Sequence, residues 1–141
     1  DAIGRLKDFH KPQRLVLIGH SGGAAMAGVI LGRHPGLADA AVLVGCPCNV
    51  PVWRSLRGRR DFWSSESAEL YVDRIPTQTR VAIMVGAGDD VTPPSLSQSY
   101  ATALAARSIS HELVVMPDRD HVNVINAPQV VEAALRLGKA D

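Results

Sequence analysis

Short apolar runs, each with little or no alternation of polar residues, punctuate this chain: Leu15-Val16-Leu17-Ile18, Ala40-Ala41-Val42-Leu43-Val44, Val81-Ala82-Ile83-Met84-Val85 and Glu112-Leu113-Val114-Val115-Met116. A strand that is apolar on both faces has to be covered on both, which is the pattern of a parallel sheet. Between these runs the apolar spacing changes to that of helices. Ile3, Leu6 and Phe9 predict a short helix over residues 2–10, before Pro12. Residues Ala24 to Leu31 predict a second helix, rich in small residues and stopped at Arg33-His34-Pro35-Gly36. Pro93 and Pro94 introduce a third, with Leu96, Tyr100 and Leu104 on one face. Asn126 is expected to cap the last helix, with Pro128 in its first turn and Gly138 after its end. The expected fold class is α/β: a parallel sheet of about four strands with helices on both faces.

One segment breaks this rhythm. From Cys46 to Pro76 the chain is irregular, aromatic and arginine-rich, with one helix expected around Ser67–Val72. A stretch this long inside a compact domain is usually functional. Arg54, Arg57, Arg59 and Arg60 interleave there with Trp53, Phe62 and Trp63. Arginines beside aromatics can stack on bases, but a net charge of +1 supplies no field for a polyanion. The cluster therefore reads as a solvated surface, and no nucleic-acid partner is expected.

Composition narrows the class further. At 141 residues, 46% apolar and 21% charged, the chain has the balance of one ordinary globular domain. It contains no apolar run long enough to span a bilayer and shows no signal peptide at Asp1. A soluble protein is expected, with the cytoplasm favoured. Cys46 and Cys48 are too few for a disulfide framework or a structural zinc site. They are expected to be partly buried free thiols, and no metal or cofactor is expected.

The chemistry concentrates in Gly19-His20-Ser21-Gly22-Gly23, which stands between the first predicted strand and the second helix. Glycine and serine are common in plain loops, but strand, Gly-x-Ser-x-Gly and helix in succession are what a nucleophile elbow requires. A sharp strand-to-helix turn holds a serine hydroxyl clear of the backbone and leaves the first amides of the helix free to hold an oxyanion. Ser21 is then followed by Asp89 and Asp90 after the third strand, and by His121 after the fourth. In parallel α/β sheets reactive groups gather at these carboxyl ends. Serine, acid and histidine in this order can attack a carbonyl, orient the imidazole and shuttle the proton. The two adjacent aspartates are not distinguished by position alone.

With these motifs the chain resembles the carboxyl-terminal half of an α/β-hydrolase, nearly end to end. The stretch from Ser67 to Pro76, leading into Val85-Gly86-Ala87-Gly88-Asp89-Asp90-Val91-Thr92-Pro93, is similar to prolyl-oligopeptidase-like and dienelactone-hydrolase-like members. The resemblance implies Asp89 as the acid, because Gly86, Asp89 and Pro93 match the family's acid loop, and it puts His121 in the histidine loop. It reads Asp118 and Asp120 as solvated neighbours. It implies Gly22 as one oxyanion donor; the second belongs to a loop in strands that have no counterpart here. A single catalytic domain over residues 1–141 is expected, with a cap-like insertion at about 46–76. His20, Trp53 and Trp63 are the implied substrate contacts; together with Phe62 and Tyr71, the tryptophans line a pocket or form the cap's own small core. The implied activity is that of a serine hydrolase on an ester, thioester or amide, esterase or peptidase-like, with an acyltransferase or a non-catalytic binding module as alternatives. The implied partners are a small ester or amide and the amino-terminal half of the same protein, or a second copy of the chain. The chain is expected to be a fragment, a processed subunit or one part of a longer chain, and inactive alone.

Overall fold

The computed structural model describes residues 2–61 and 63–139. Phe62, one of the aromatics of the arginine-rich segment, lies outside the described residues. The chain runs α1 (Ala2–His10), β1 (Val16–His20), α2 (Gly22–Arg33), β2 (Ala40–Val44) and α3 (Val50–Leu56). A 3-10 segment follows at Ala68–Arg74, then β3 (Arg80–Gly86), α4 (Pro94–Ala106), β4 (Ser110–Met116), a short 3-10 turn at Val124–Asn126 and α5 (Pro128–Gly138). The strands form one sheet in the order β1-β2-β3-β4. Every neighbouring pair is parallel. The fold is therefore the α/β class expected from the apolar runs.

Register explains how two cores share one sheet. Ala41 pairs with Val81, and Leu43 with Ile83, so alternate positions point to the same face. On that face Leu43 and Ile83 share a core with Leu31 of α2 and with Tyr100 and Leu104 of α4. The intervening positions, Val42, Val44, Ala82 and Met84, pack with Val130 and Ala133 of α5 on the opposite face. Both sides of β2 are thus buried, and a polar residue at any position along it would lose its water without gaining a partner. Each fully buried aliphatic side chain contributes about 1.5–3 kcal/mol. At the other extreme, β1 is an edge strand among the described residues, with Ile18 half exposed. No described helix is long and apolar enough to cross a membrane.

Several local expectations are corrected. The first strand does not stop at Ile18 but continues through Gly19 and His20, directly into Ser21. Glycine permits this, because a β-carbon at Gly19 would lie 2.3 Å from the carbonyl oxygen of Gly23. The helix expected around Ser67–Val72 is a 3-10 segment displaced to Ala68–Arg74. The last helix is capped at Ala127, not Asn126, and no side chain caps it. Asn126 instead ends the preceding 3-10 turn. Pro128, whose missing N–H costs nothing in a first turn, carries the start signal.

The cysteines differ most from expectation. Cys46 and Cys48 are joined as a disulfide, not held as free thiols, and both are fully buried. The chain leaves β2 through Gly45 at φ 54°, and the two α-carbons stand 5.1 Å apart, within bridging reach. Rules that look for widely spaced frameworks or metal ligands do not anticipate a link across one residue.

Candidate active site

Ser21 sits between β1 and α2 with φ 54° and ψ −120°. A non-glycine residue with positive φ stores on the order of 1–3 kcal/mol of strain, so the surroundings must hold it there. They do so on both sides. The Ser21 N–H donates to the Val44 carbonyl at 2.8 Å, and the Ser21 carbonyl accepts from Ala24 and Ala25 at 3.0 and 3.1 Å. The backbone is anchored to β2 and α2 while the side chain stands out. Gly22 opens α2 and is exposed. Its amide belongs to the first helical turn, where intrahelical acceptors are lacking.

Two loops bring the remaining groups to the serine hydroxyl. Asp89, in the loop after β3, is buried, whereas the next residue, Asp90, is exposed. Oδ1 of Asp89 accepts from the backbone N–H groups of Val91 and Thr92 at 3.0 and 2.7 Å. Its Oδ2 accepts from the Thr92 hydroxyl at 2.8 Å and lies 2.8 Å from Nδ1 of His121. Nε2 of His121 lies 3.0 Å from Oγ of Ser21. An ionised carboxylate can only accept. It therefore draws the imidazole proton to Nδ1 and leaves Nε2 free to accept from the serine hydroxyl. This is the hydrogen-bonded chain that an attacking hydroxyl needs.

The loop after β4 owes its shape to its own side chains. Oδ1 of Asp120 accepts from Val122 and Asn123 N–H at 2.9 and 2.8 Å, and Asn123 Oδ1 accepts from the Asp120 N–H at 2.9 Å. Asp120 is exposed, yet it forms the turn on which His121 sits. Asp118 is also exposed. The acid loop and the histidine loop are joined by Gly88 N–H, which donates to the Arg119 carbonyl at 3.0 Å. Gly86 allows that approach, since a β-carbon there would lie 2.2 Å from the same oxygen.

Two of the residues expected at the substrate, His20 and Trp53, are hydrogen-bonded to the loops beside Ser21. His20 Nε2 donates to the His121 carbonyl at 2.7 Å, and the two imidazoles lie 4.9 Å apart at 37°. His20 thus pins the histidine loop to the elbow. The Trp53 indole N–H donates to the Val91 carbonyl at 2.8 Å, tying α3 to the acid loop. Trp63 is fully exposed. Tyr71 donates to Glu66 at the surface, and that hydrogen bond is the leading cause that raises its phenol above the usual range. Among the described residues no group of three or more His, Cys, Asp or Glu is arranged to hold a metal ion.

Gly45 belongs to the site, although in the sequence it reads only as the end of a strand. A β-carbon there would lie 3.2 Å from both Asp89 Oδ2 and His121 Nδ1, and 3.3 Å from His121 Cε1. The glycine forms a wall against the aspartate–imidazole contact, and its φ of 54° disfavours any side chain. Gly45→Ala should lower kcat/KM by roughly 10²-fold through displacement of the imidazole and destabilise the fold by about 1–2 kcal/mol. Parallel activity and thermal-melt measurements test this. Full activity in a variant that melts lower would show that the site tolerates the methyl group.

The fold has counterparts among known structures. The chain superimposes on an esterase of Pyrococcus furiosus with a TM-score of 0.72 at 20% identity, covering 97% of this chain and 56% of that one. For an acylaminoacyl peptidase of Pyrococcus horikoshii the TM-score is 0.69 at 14% identity, covering 86% and 23%. For a putative dienelactone hydrolase of Klebsiella pneumoniae subsp. pneumoniae it is 0.62 at 18% identity, covering 86% and 48%. At these identities the likeness is one of fold, and the chain spans about a quarter to a little over half of the neighbours' lengths. A search of curated proteins finds no match. The sequence pattern of the prolyl oligopeptidase family, however, matches residues 2–137. A parallel α/β sheet, and a family pattern that runs nearly end to end, lead to one assignment: the chain belongs to the prolyl oligopeptidase family, within the α/β-hydrolases.

Proposed function

We propose that this chain carries the catalytic groups of a serine hydrolase that cleaves a carboxylic ester, thioester or amide through an acyl-enzyme on Ser21. The observation that carries this reading is the unbroken chain from Ser21 Oγ through His121 to Asp89, at 3.0 and 2.8 Å. Ser21 Oγ attacks the carbonyl carbon as its proton passes to His121 Nε2, and Asp89 steadies the imidazolium through Nδ1–H. The Gly22 N–H donates to the oxyanion. Collapse breaks the bond to the leaving alcohol, thiol or amine, which departs with the proton from Nε2. Water then repeats the sequence and releases the acid.

The second oxyanion donor, in this reading, comes from residues outside 1–141, on the side of β1 that carries no strand among the described residues. Losing one such donor costs roughly 10²–10³ in rate. Residues 1–141 expressed alone should therefore hydrolyse a short acyl nitrophenyl ester at least that much more slowly than the full-length protein. Equal activity of the two would place the whole site within this chain. The reading itself is tested by labelling the full-length protein with a fluorophosphonate. Stoichiometric modification that maps to Ser21 is expected, and an unmodified Ser21 under conditions of active turnover would overturn it.

A further inference from the structure

We infer that Thr92 is a positioning residue for the reaction: its hydroxyl aligns Asp89 with His121 and favours the charged imidazole that forms when Ser21 gives up its proton. The inference rests on the acyl-enzyme reading above and deepens it. Thr92 is buried, and its Oγ1 stands 2.8 Å from Asp89 Oδ2 and 3.0 Å from His121 Nδ1. In the tautomer that can accept from Ser21, Nδ1 already carries a proton. The single hydroxyl proton of Thr92 is therefore directed to Asp89, and its lone pairs face Nδ1–H. This aligns the hydroxyl dipole with its negative end toward the imidazole, where positive charge develops during attack.

A carboxylate offers about four acceptor sites. Asp89 receives the N–H groups of Val91 and Thr92 on one oxygen, and the Thr92 hydroxyl together with His121 on the other. Thr92 thus grips both oxygens, one through its backbone and one through its side chain, and fixes the rotation of the carboxylate. Its own freedom is small. Pro93 restricts the backbone of the preceding residue, α4 starts immediately afterwards at Pro94, and a β-branched side chain has few rotamers. The indole of Trp53 holds the carbonyl of Val91 at 2.8 Å, on the peptide that joins Val91 to Thr92. A hydroxyl fixed this firmly at the aspartate–imidazole contact does more than fill space.

The test uses the full-length protein with Thr92→Val, Thr92→Ala, Thr92→Ser and Ser21→Ala, assayed on a short acyl nitrophenyl ester. Valine keeps the shape of threonine without its hydrogen bonds. Loss of a bond to a charged group should lower kcat roughly 10- to 100-fold, with KM little changed because Thr92 does not reach the substrate. Serine should restore most of the loss. A second reading of the same variants is the low-field proton resonance of His121 Nδ1–H, which valine and alanine should move and serine should largely preserve. A folded hydroxyl-free variant that turns over like wild type overturns the inference, as does a serine variant as slow as valine despite a wild-type melt. These outcomes differ from failure of the acyl-enzyme reading. In that case Ser21→Ala retains activity and the wild type escapes fluorophosphonate labelling, and the role of Thr92 falls with it.

Discussion

Replacing Ser21 with alanine should lower turnover by roughly 10⁴- to 10⁶-fold with little change in the thermal melt. The side chain contributes one hydrogen bond, to His121 Nε2 at 3.0 Å, whereas the backbone is held by bonds to Val44, Ala24 and Ala25 that alanine keeps. Alanine also inherits the unfavourable φ of 54°. Glycine does not, so Ser21→Gly should be equally inactive yet melt no lower than Ser21→Ala, because relief of backbone strain offsets the added chain entropy. A strained residue whose removal costs activity and no stability is what a site that trades stability for function should show. Steady-state kinetics of the full-length protein decides the matter. More than a tenth of wild-type turnover in Ser21→Ala would reject Ser21 as the nucleophile.

Asp89→Asn should cost on the order of 10⁴ in turnover, and the hydrogen bonds around the carboxylate explain why. Oδ1 faces two backbone N–H groups that cannot rotate away. An asparagine must therefore leave its oxygen there and turn its NH₂ toward the Thr92 hydroxyl and His121. Nδ1 then has to accept, the proton moves to Nε2, and an N–H faces Ser21 where a base is needed. The fold should survive, since the shape is unchanged. Asp90→Asn, at an exposed position, should leave turnover within about a factor of two. The reverse order of effects would place the working carboxylate one residue further along the loop.

The fold was legible in the sequence because its signals are covalent or periodic. Apolar runs on both faces, as in β2, demand a covered parallel sheet, and Pro94 and Pro128 start helices wherever they stand. Ser21, His121 and the pair Asp89–Asp90 could be singled out because each follows an apolar run; the preference for Asp89 came from the match of Gly86, Asp89 and Pro93 to the family's acid loop. What stayed hidden depends on segments distant in sequence. His20 reaches the carbonyl of residue 121, Trp53 that of residue 91, and Gly45 lies against both Asp89 and His121. None of these contacts leaves a local trace, since a histidine beside a serine, a tryptophan among arginines and a glycine after a strand each have many uses. Thr92 was masked differently: it lies within the stretch that resembles the family's acid loop, but only Gly86, Asp89 and Pro93 carry the match. Asn126 misled for the opposite reason, a favourable capping residue in a turn whose geometry did not require one.

At the far end of the sheet from Ser21, Arg14 donates to the carbonyl of Lys139, and Arg80, the first residue of β3, donates to those of Leu137 and Lys139. These guanidiniums gather the end of α5 where its carbonyls lack helical partners. The strand direction thus divides the molecule into a pole that bears the proposed catalytic groups and a clamped pole, with the sheet's length between them. Random mutagenesis should register that division as two separable phenotypes. Substitutions near Arg14 and Arg80 should change heat tolerance at constant specific activity, and substitutions near Gly45 and Thr92 should change specific activity first. A laboratory selection for heat tolerance would then find its gains at the clamped pole, without disturbing the loops that hold Asp89 and His121.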